Sequence, residues 1–212
     1  MHTAVLQKID RAAAEQSKQL NLMMMNLADV SEEITQLKHL DTLILSHNQI
    51  SVIPDWITQL SNLKWFRLSS NRINIIPESI SQLVNLQDLC FTNNQIRIIP
   101  DSIGQLENLR SLCFDYNQIS VIPESIEKLF HLQYLSLSNN QVGQIPDAIA
   151  ELKQLKNLDL RNIKISTVPL SLSQMPKLKK LWLDTNPLSN VPLEIIRRGW
   201  GRRALFQAYK SL

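Results

Sequence analysis

The chain has 212 residues, a formal net charge of +3, 44% hydrophobic residues and 19% charged residues. This composition supplies enough apolar side chains for a continuous core and excludes a disordered, highly charged chain. The N-terminus lacks the basic start and uninterrupted apolar stretch of a secretory signal. The longest apolar run elsewhere, residues 22–25, is far shorter than the ~20 residues that cross a bilayer. We therefore expect a soluble globular or repetitive protein without a membrane span.

The N-terminal residues 1–16 carry a helical pattern. Apolar residues recur there at three- and four-residue spacing, at Val5, Ile9, Ala12 and Ala13. Such spacing predicts a short amphipathic helix. Two acids, Asp10 and Glu15, weaken the attraction of this helix to anionic lipid. We therefore expect it to cap the core that follows rather than to lie on a membrane.

Proline recurs every 23 residues through most of the chain, at Pro54, Pro77, Pro100, Pro123, Pro146, Pro169 and Pro192. Leucine and isoleucine columns follow the same step, and the unit reads L-x-x-L-x-L-x-x-N-x-I-x-x-I-P-x-x-I-x-x-L-x-x. A degenerate first copy has Ser31 in place of proline and Met25 in place of asparagine. Eight copies therefore occupy residues 17–199, starting at 17, 40, 63, 86, 109, 132, 155 and 178.

This unit resembles the leucine-rich repeat, whose signature is L-x-x-L-x-L-x-x-N/C-x-L. The 23-residue form with I-P is similar to the repeats of intracellular Ras-group scaffolds and of bacterial Roco-type domains, and the resemblance covers nearly the whole chain. It implies an α/β solenoid, a horseshoe with parallel strands on the concave face, short helices or turns on the convex face, and helical caps at both ends. Such domains are typical protein-interaction modules.

Elementary geometry leads to the same architecture. In L-x-L the leucines share one side of a strand, and copies stacked ~4.8 Å apart form a parallel sheet. The asparagine that follows each strand is placed to satisfy backbone groups at the bend. Proline followed by an acid suits the start of one or two helical turns. Short polar residues on that side predict a solvated surface: Ser79, Ser81, Gln82, Ser102 and Gln105.

The pattern breaks in two places. In the seventh copy Ile163 stands where asparagine belongs and Asn162 comes one place early; this indicates a local bend, a binding feature or simple drift. After Ile195 the repeat ends, and residues 200–212 predict a final capping helix whose apolar side is Ala204, Leu205, Phe206, Ala208, Tyr209 and Leu212.

The C-terminal end is basic, because residues 177–212 hold eight lysines and arginines against two acids. Four arginines form the basic end proper: Arg197, Arg198, Arg202 and Arg203. Charge runs on helix surfaces are usually solvated. The alternative is a site for a small GTPase or a polyanion, since the same segment of Roco-type domains leads to a GTPase domain. No nucleic-acid motif accompanies these residues, so nucleic acid is not the expected partner.

Function is expected on the concave face, defined as the strand positions opposite the leucines together with the residues just after each strand. Aromatic residues and arginine are enriched where protein partners bind. The predicted contact residues are Trp65, Arg67, Asp88, Cys90, Cys113, Asp115, Tyr116, Tyr134, Asp159, Arg161, Trp182 and Asp184. The alternative for each aromatic is that it merely shields the strand edge, since isolated exposed apolar residues are ordinary.

Cys90 and Cys113 occupy the same position in adjacent repeats and should be neighbours. Two free thiols are the favoured interpretation, because two cysteines are too few for a disulfide framework and fit a reducing cytoplasm. A reversible disulfide would need strained cross-strand geometry, and a metal site lacks further ligands. We expect Asp88 and Asp115 to raise the pKa of both thiols and so to lower their reactivity.

The chain carries no glycine-rich phosphate loop, and His2, His39, His47 and His131 lie at no metal-ligand spacing. The sequence therefore predicts a cytoplasmic, monomeric, non-catalytic scaffold without cofactor or metal. It predicts another protein as the partner, such as a GTPase or a signalling protein, bound on the concave face.

Overall fold

The computed structural model describes residues 2–189. It begins with one α-helix, α1 (His2–Ala14). Eight three-residue strands follow: β1 (Gln19–Asn21), β2 (Thr42–Ile44), β3 (Trp65–Arg67), β4 (Asp88–Cys90), β5 (Ser111–Cys113), β6 (Tyr134–Ser136), β7 (Asn157–Asp159) and β8 (Lys180–Trp182). Seven 3-10 helices connect them: η1 (Glu32–Gln36), η2 (Asp55–Gln59), η3 (Glu78–Gln82), η4 (Asp101–Gln105), η5 (Glu124–Lys128), η6 (Asp147–Glu151) and η7 (Leu170–Gln174).

The strands form one parallel sheet in chain order, β1 to β8. Every pair is in the same register, so that Leu43 faces Phe66 and Phe66 faces Leu89 across neighbouring strands. The middle residue of each strand is buried and its two neighbours face outward. The predicted leucine-rich-repeat solenoid is therefore confirmed for the described part of the chain.

The core is a single column of apolar side chains that runs through all the repeats. Phe66, Phe91 and Phe114 replace leucines and are fully buried, as their places in the pattern predict. The rings of Phe91 and Phe114 are nearly parallel, with centroids 5.6 Å apart, an arrangement that adds to the free energy of burial. At the N-terminal end, α1 packs Val5 and Ile9 onto the first repeat. The C-terminal helix predicted over residues 200–212 lies outside the described residues.

The asparagines form the hydrogen-bonded ladder that the sequence predicts. Asn94 is typical: its Nδ2 donates to the carbonyls of Leu68 and Phe91, at 3.0 and 2.9 Å. Its Oδ1 accepts the N–H of Ile73, at 3.0 Å. The same donor and acceptor pattern recurs at Asn48, Asn71, Asn117, Asn140 and Asn186. Each amide thus joins its own repeat to the preceding one.

A left-handed residue precedes every ladder position, a feature that the sequence pattern did not reveal. These residues have φ between 52° and 63°, and none is glycine: Met24, His47, Ser70, Asn93, Tyr116, Asn139, Asn162 and Thr185. Positive φ costs free energy for most side chains. The hydrogen bonds around the turn, rather than the conformational preference of the residue itself, therefore hold the turn.

The second half of the repeat differs from expectation in two details. Proline precedes each 3-10 helix from η2 to η7 instead of occupying its first position, and Pro77 O accepts the N–H of Ile80 at 3.0 Å. Proline suits this place, because its ring fixes φ but leaves ψ free to be extended, as it is at Pro77. Ser102, expected to be solvated, is buried with its hydroxyl unpaired, because η4 packs closely against η5.

The seventh repeat shows how the missing asparagine is accommodated. Ile163 is fully buried and offers no side-chain acceptor to the preceding repeat. Instead, Gly143 adopts φ +73° and its N–H donates to the carbonyl of Ile163, at 2.9 Å. Asn186 of the next repeat accepts the N–H of Ile163, at 3.0 Å. The irregular sequence thus produces a local change of backbone, with the solenoid continuing through it.

Asn94→Ala should lower the free energy of unfolding by about 3 kcal/mol, because it removes the partners of a buried N–H and of two buried carbonyls. Urea denaturation of the wild-type and Asn94→Ala proteins measures this difference in the free energy of unfolding. Gln95→Ala is the matched control, since Gln95 is exposed, and should change stability by less than about 0.5 kcal/mol. Equal effects of the two changes would contradict the structural role of the ladder.

Gly104→Ala should destabilise the chain by about 2 kcal/mol, because a Cβ there would clash with the backbone carbonyl oxygen of Ser125. Gly143→Ala meets no atom within 4 Å and should cost only the backbone strain, about 1 kcal/mol. Thermal or urea unfolding compares the two variants. A larger loss for Gly143→Ala would show that η4 and η5 separate easily.

Candidate partner-binding face

The register places the predicted contact residues along one side of the sheet. Those within strands are Trp65 and Arg67 on β3, Asp88 and Cys90 on β4, Cys113 on β5, Tyr134 on β6, Asp159 on β7 and Trp182 on β8. The others follow their strands: Asp115, Tyr116, Arg161 and Asp184. Ten of them fall into three neighbouring groups, which lie on β3–β4, on β4–β5 and at the ends of β5–β7. Trp182 and Asp184 lie at the far end of the sheet, outside these groups.

The first group surrounds an ion pair between β3 and β4. Arg67 Nε lies 3.6 Å from Asp88 Oδ1, with the arginine side chain about half exposed and the carboxylate largely covered. Trp65 is the register partner of Asp88 and is half-buried. An exposed ion pair contributes little to stability. The guanidinium and the indole therefore remain available to a bound partner.

The third group lines a depression of about 410 Å³ at the C-terminal ends of β5, β6 and β7. Five predicted residues lie on its wall: Asp115, Tyr116, Tyr134, Asp159 and Arg161. Residues outside the predicted contact set complete the wall: Thr92, Ser136, Ser138, Asn139, Asn162 and Thr185. Apart from the displaced Asn162, their short polar side chains did not point to a binding site, because serine and asparagine are common at turns.

Asp115 is fixed by three hydrogen bonds from the next repeat. Its Oδ1 accepts the hydroxyls of Ser136 and Ser138, the latter at 2.6 Å, and the N–H of Ser138, at 3.1 Å. Both serines are buried. The carboxylate therefore has a defined position in the depression before any ligand arrives, which lowers the entropy cost of binding.

Asp159 is not a surface contact residue. It is only 3% exposed, which corrects the expectation that it faces a partner directly. Its carboxylate accepts the Arg161 Nε at 2.9 Å and also contacts Arg161 Nη2. The Arg161 side chain is 49% exposed. The buried carboxylate therefore positions a guanidinium whose outer edge points to solvent.

The two tyrosines of the depression have different settings. Tyr116 has a φ of 55° in the turn after β5 and is 59% exposed, so it forms the rim rather than the floor. Tyr134 starts β6 and is half-buried. Burial raises the pKa of the Tyr134 phenol, so the group stays neutral and keeps its hydroxyl proton as a donor.

At the far end of the sheet, Lys180 Nζ lies 5.8 Å from the centroid of the Trp182 ring.

Cys90 and Cys113 are register partners on β4 and β5. Both are free thiols and half-buried. Ser69 Oγ and Thr92 Oγ1 lie 3.2 and 3.4 Å from Cys90 Sγ. A hydrogen bond from the Cys113 thiol, aided by these hydroxyls, lowers the pKa of Cys90 to about 6.

The pKa of Cys113 shifts in the opposite direction. The hydrogen bond to Cys90 raises it first, and burial and the carboxylate of Asp115 add to the rise. Raised pKa values were expected for both thiols, so the expectation was wrong for Cys90. At Cys90 the neighbouring thiol and the hydroxyls of Ser69 and Thr92, which favour the thiolate, outweigh burial, which disfavours it.

One exposed apolar feature lies off the concave face and was not predicted. Val52, Ile75, Ile98 and Val121 hold one position in four successive repeats and are 63–73% exposed.

Among residues 2–189 there is no cluster of three or more metal-ligating side chains. In that same part of the chain, no helix is long and apolar enough to cross a membrane. The predicted basic end, Arg197, Arg198, Arg202 and Arg203, lies outside the described residues.

The repeated strands, asparagine ladder and 3-10 turns define a leucine-rich-repeat solenoid. A family model for a leucine-rich repeat region matches residues 15–118 and 120–197, and a model for the single leucine-rich repeat matches residues 108–129. The chain belongs to the leucine-rich-repeat proteins. A search among curated proteins gave no match.

Solved structures of the same fold come from bacteria and plants. A leucine-rich-repeat protein of Leptospira interrogans is 32% identical, with a TM-score of 0.77 over 88% of this chain and 54% of that one. The chain thus spans about half the length of the Leptospira protein. Internalin C2 of Listeria monocytogenes is 27% identical, with a TM-score of 0.78 over 89% and 86% of the two chains.

A third structure is the ectodomain of the Arabidopsis thaliana receptor kinase GASSHO1/SCHENGEN3, in complex with CASPARIAN STRIP INTEGRITY FACTOR 2. It is 30% identical, with a TM-score of 0.70 over 77% of this chain and 20% of that one. The fold is therefore shared with proteins of very different overall length.

Asp115→Ala should lower the free energy of unfolding by about 2 kcal/mol, because two serine hydroxyls and one backbone N–H lose a charged acceptor. Asp184→Ala removes a half-buried carboxylate of the same face and is the matched control, with an expected change below about 0.5 kcal/mol. Chemical denaturation followed by circular dichroism measures both. An Asp115→Ala protein as stable as its control would mean that the depression is not preorganised.

Proposed function

We propose that this protein is a non-catalytic interaction module that binds another protein on its concave face, with the depression at the ends of β5, β6 and β7 as the main contact site. The observation that carries this proposal is the combination of a fixed carboxylate, a positioned guanidinium and two tyrosines around one open cavity. Aromatic and arginine side chains that lose little entropy on binding are typical of interface hot spots.

The shape of the face favours an extended segment of the partner. The outward side chains repeat at the strand spacing, about 4.8 Å, so a chain laid across the strands meets a new repeat at regular intervals. Asp115 and Arg161 offer opposite charges within the same depression. We infer that the bound segment carries both a basic and an acidic or amide group, flanked by an apolar side chain that contacts Tyr116 or Tyr134.

A structural relative supports a binding function for a repeat array of this kind. The Arabidopsis receptor ectodomain was solved with CASPARIAN STRIP INTEGRITY FACTOR 2 bound, so a repeat array with 30% identity to this chain recognises another molecule. We further propose that the protein acts as a monomeric scaffold in a reducing cytoplasm, with a signalling protein or GTPase as partner. The assignment of the repeats to the Ras-group or Roco type stays a prediction.

Three single variants test the site: Trp65→Ala, Tyr116→Ala and Tyr134→Ala. The partner is first isolated from the native source by affinity purification, and its Kd is then measured with purified proteins. Loss of a hot-spot aromatic costs about 2 kcal/mol or more, which corresponds to a roughly 30-fold weaker Kd. We expect this for Tyr116→Ala or Tyr134→Ala, and a smaller loss for Trp65→Ala.

Ile98→Ser is the matched control, because Ile98 is 73% exposed but lies off the concave face. It should leave the Kd unchanged. A 30-fold weaker Kd for Ile98→Ser, with the three aromatic variants unaffected, would instead place the binding site on the exposed apolar residues Val52, Ile75, Ile98 and Val121. Binding that disappears on charge reversal at Arg202 and Arg203 and weakens steeply with salt would instead indicate the basic end.

A further inference from the structure

The two cysteines meet the geometric conditions for a bond between them. Cys90 and Cys113 are directly opposed in the register of β4 and β5, and both point to the concave face. Neighbouring strands lie about 4.8 Å apart, and disulfides join Cα atoms about 4.4 to 6.8 Å apart. Rotation of the two side chains, together with a small adjustment of the backbone, therefore brings the sulfurs together.

Strain in a disulfide between Cys90 and Cys113 determines how easily that disulfide is reduced. Directly opposed residues in a parallel sheet do not reach the relaxed Cβ separation of a structural disulfide without some adjustment. Strained and accessible disulfides are the more easily reduced ones. Both cysteines are half-buried rather than sealed in the core, so small reagents can reach them. These properties favour a reversible bond over a permanent one.

We propose that Cys90 and Cys113 form a dithiol redox site on the concave face, oxidised reversibly to an intramolecular disulfide by low-molecular-weight disulfides of the glutathione class. The site is defined by the sheet itself and exists whether or not a partner binds. Its consequence for binding rests on the proposed function, because the pair lies between the Arg67–Asp88 group and the depression that contains Asp115.

The reaction proceeds by two thiol–disulfide exchanges. The Cys90 thiolate attacks one sulfur of the oxidant, whose S–S bond breaks and releases one small thiolate. Cys113 then loses its proton, and its sulfur attacks Cys90 Sγ, which releases the second small thiolate. Two protein thiols have thus given up two electrons and two protons, and the oxidant has become two thiols.

The surroundings assign the attacking role to Cys90. Hydroxyls of Ser69 and Thr92 contact its sulfur, and Arg67 on β3 is its register partner. The charged groups on the other sides are the carboxylates of Asp88 on β4 and Asp115 after β5. The pKa of Cys90 is lowered and that of Cys113 is raised, so Cys90 is the more readily ionised of the two thiols. The nucleophile and the resolving thiol are therefore distinct before reaction.

The test incubates the purified full chain in buffers of increasing ratio of glutathione disulfide to reduced glutathione. Mass spectrometry and a denatured thiol count read the product. We expect the wild-type chain to lose the mass of two hydrogen atoms, as a monomer on a non-reducing gel, and to recover both thiols on return to reduced glutathione. Cys113→Ser lacks the resolving thiol and should instead accumulate the mixed disulfide on Cys90.

Three results would overturn the proposal: both thiols persisting in the oxidising buffers, a wild-type chain that stops at the mixed disulfide, or oxidation only to disulfide-linked dimers. The role of Cys90 is checked by its alkylation rate with iodoacetamide against pH. The wild-type rate should rise with a midpoint near pH 6, and Cys113→Ala, which removes the donated hydrogen bond, should move the midpoint upward. A midpoint at the ordinary thiol pKa in both proteins would contradict the assignment.

These readouts do not involve the partner. Failure of the redox chemistry would leave the proposed interaction intact, and a partner that binds elsewhere would leave the dithiol chemistry intact. Once the partner is purified, its affinity for the oxidised and reduced chains shows whether the site also controls binding.

Discussion

The inter-repeat hydrogen bonds of the asparagine amides are the interaction on which the rest of the structure depends. Each strand has three residues, too few to hold a sheet in register alone, and the chain must turn sharply after every strand. The amide of Asn94 satisfies carbonyls in two consecutive repeats and an N–H in the earlier one. Burial of such groups without partners would be costly. The amides therefore fix both the turn and the stacking of one repeat on the next.

The binding face follows from that constraint. Because the ladder holds the turn rigid, residues just after each strand can adopt positive φ without glycine, and a bulky side chain such as Tyr116 can stand at the rim of the sheet. The same stacking brings Asp115 against the serines of the next repeat and Cys90 against Cys113. Scaffold and candidate site are thus products of one register.

Much of the fold could be predicted from the sequence, because the 23-residue period tells which strand and which face of the sheet each residue occupies. The strand register, the buried phenylalanines and the asparagine ladder all follow from the pattern. The predictions that failed concern contacts between repeats: Asp159 is covered because Arg161 folds back onto it, and the Cys90 thiol has a low pKa because Cys113 donates to it. Periodicity tells which residues are neighbours, but not how their side chains pair.

The depression shows the same limit. Asp115, Tyr116, Tyr134 and Arg161 were all predicted individually as contact residues, but their convergence on one cavity depends on side-chain directions that the pattern does not contain. The serines that fix Asp115 carried no distinguishing signal. In the seventh repeat the loss of asparagine was visible, whereas its compensation by Gly143 depended on a backbone rearrangement one repeat away.

Hydroxyl-radical footprinting of the purified complex shows whether the concave face contacts the partner. Tyr116 is 59% exposed on the rim of this face, and Phe130 is 56% exposed outside it, so both are oxidised readily in the free chain. Bound partner should protect Tyr116 and leave Phe130 unchanged. Protection of Phe130 with full oxidation of Tyr116 would contradict contact on this face.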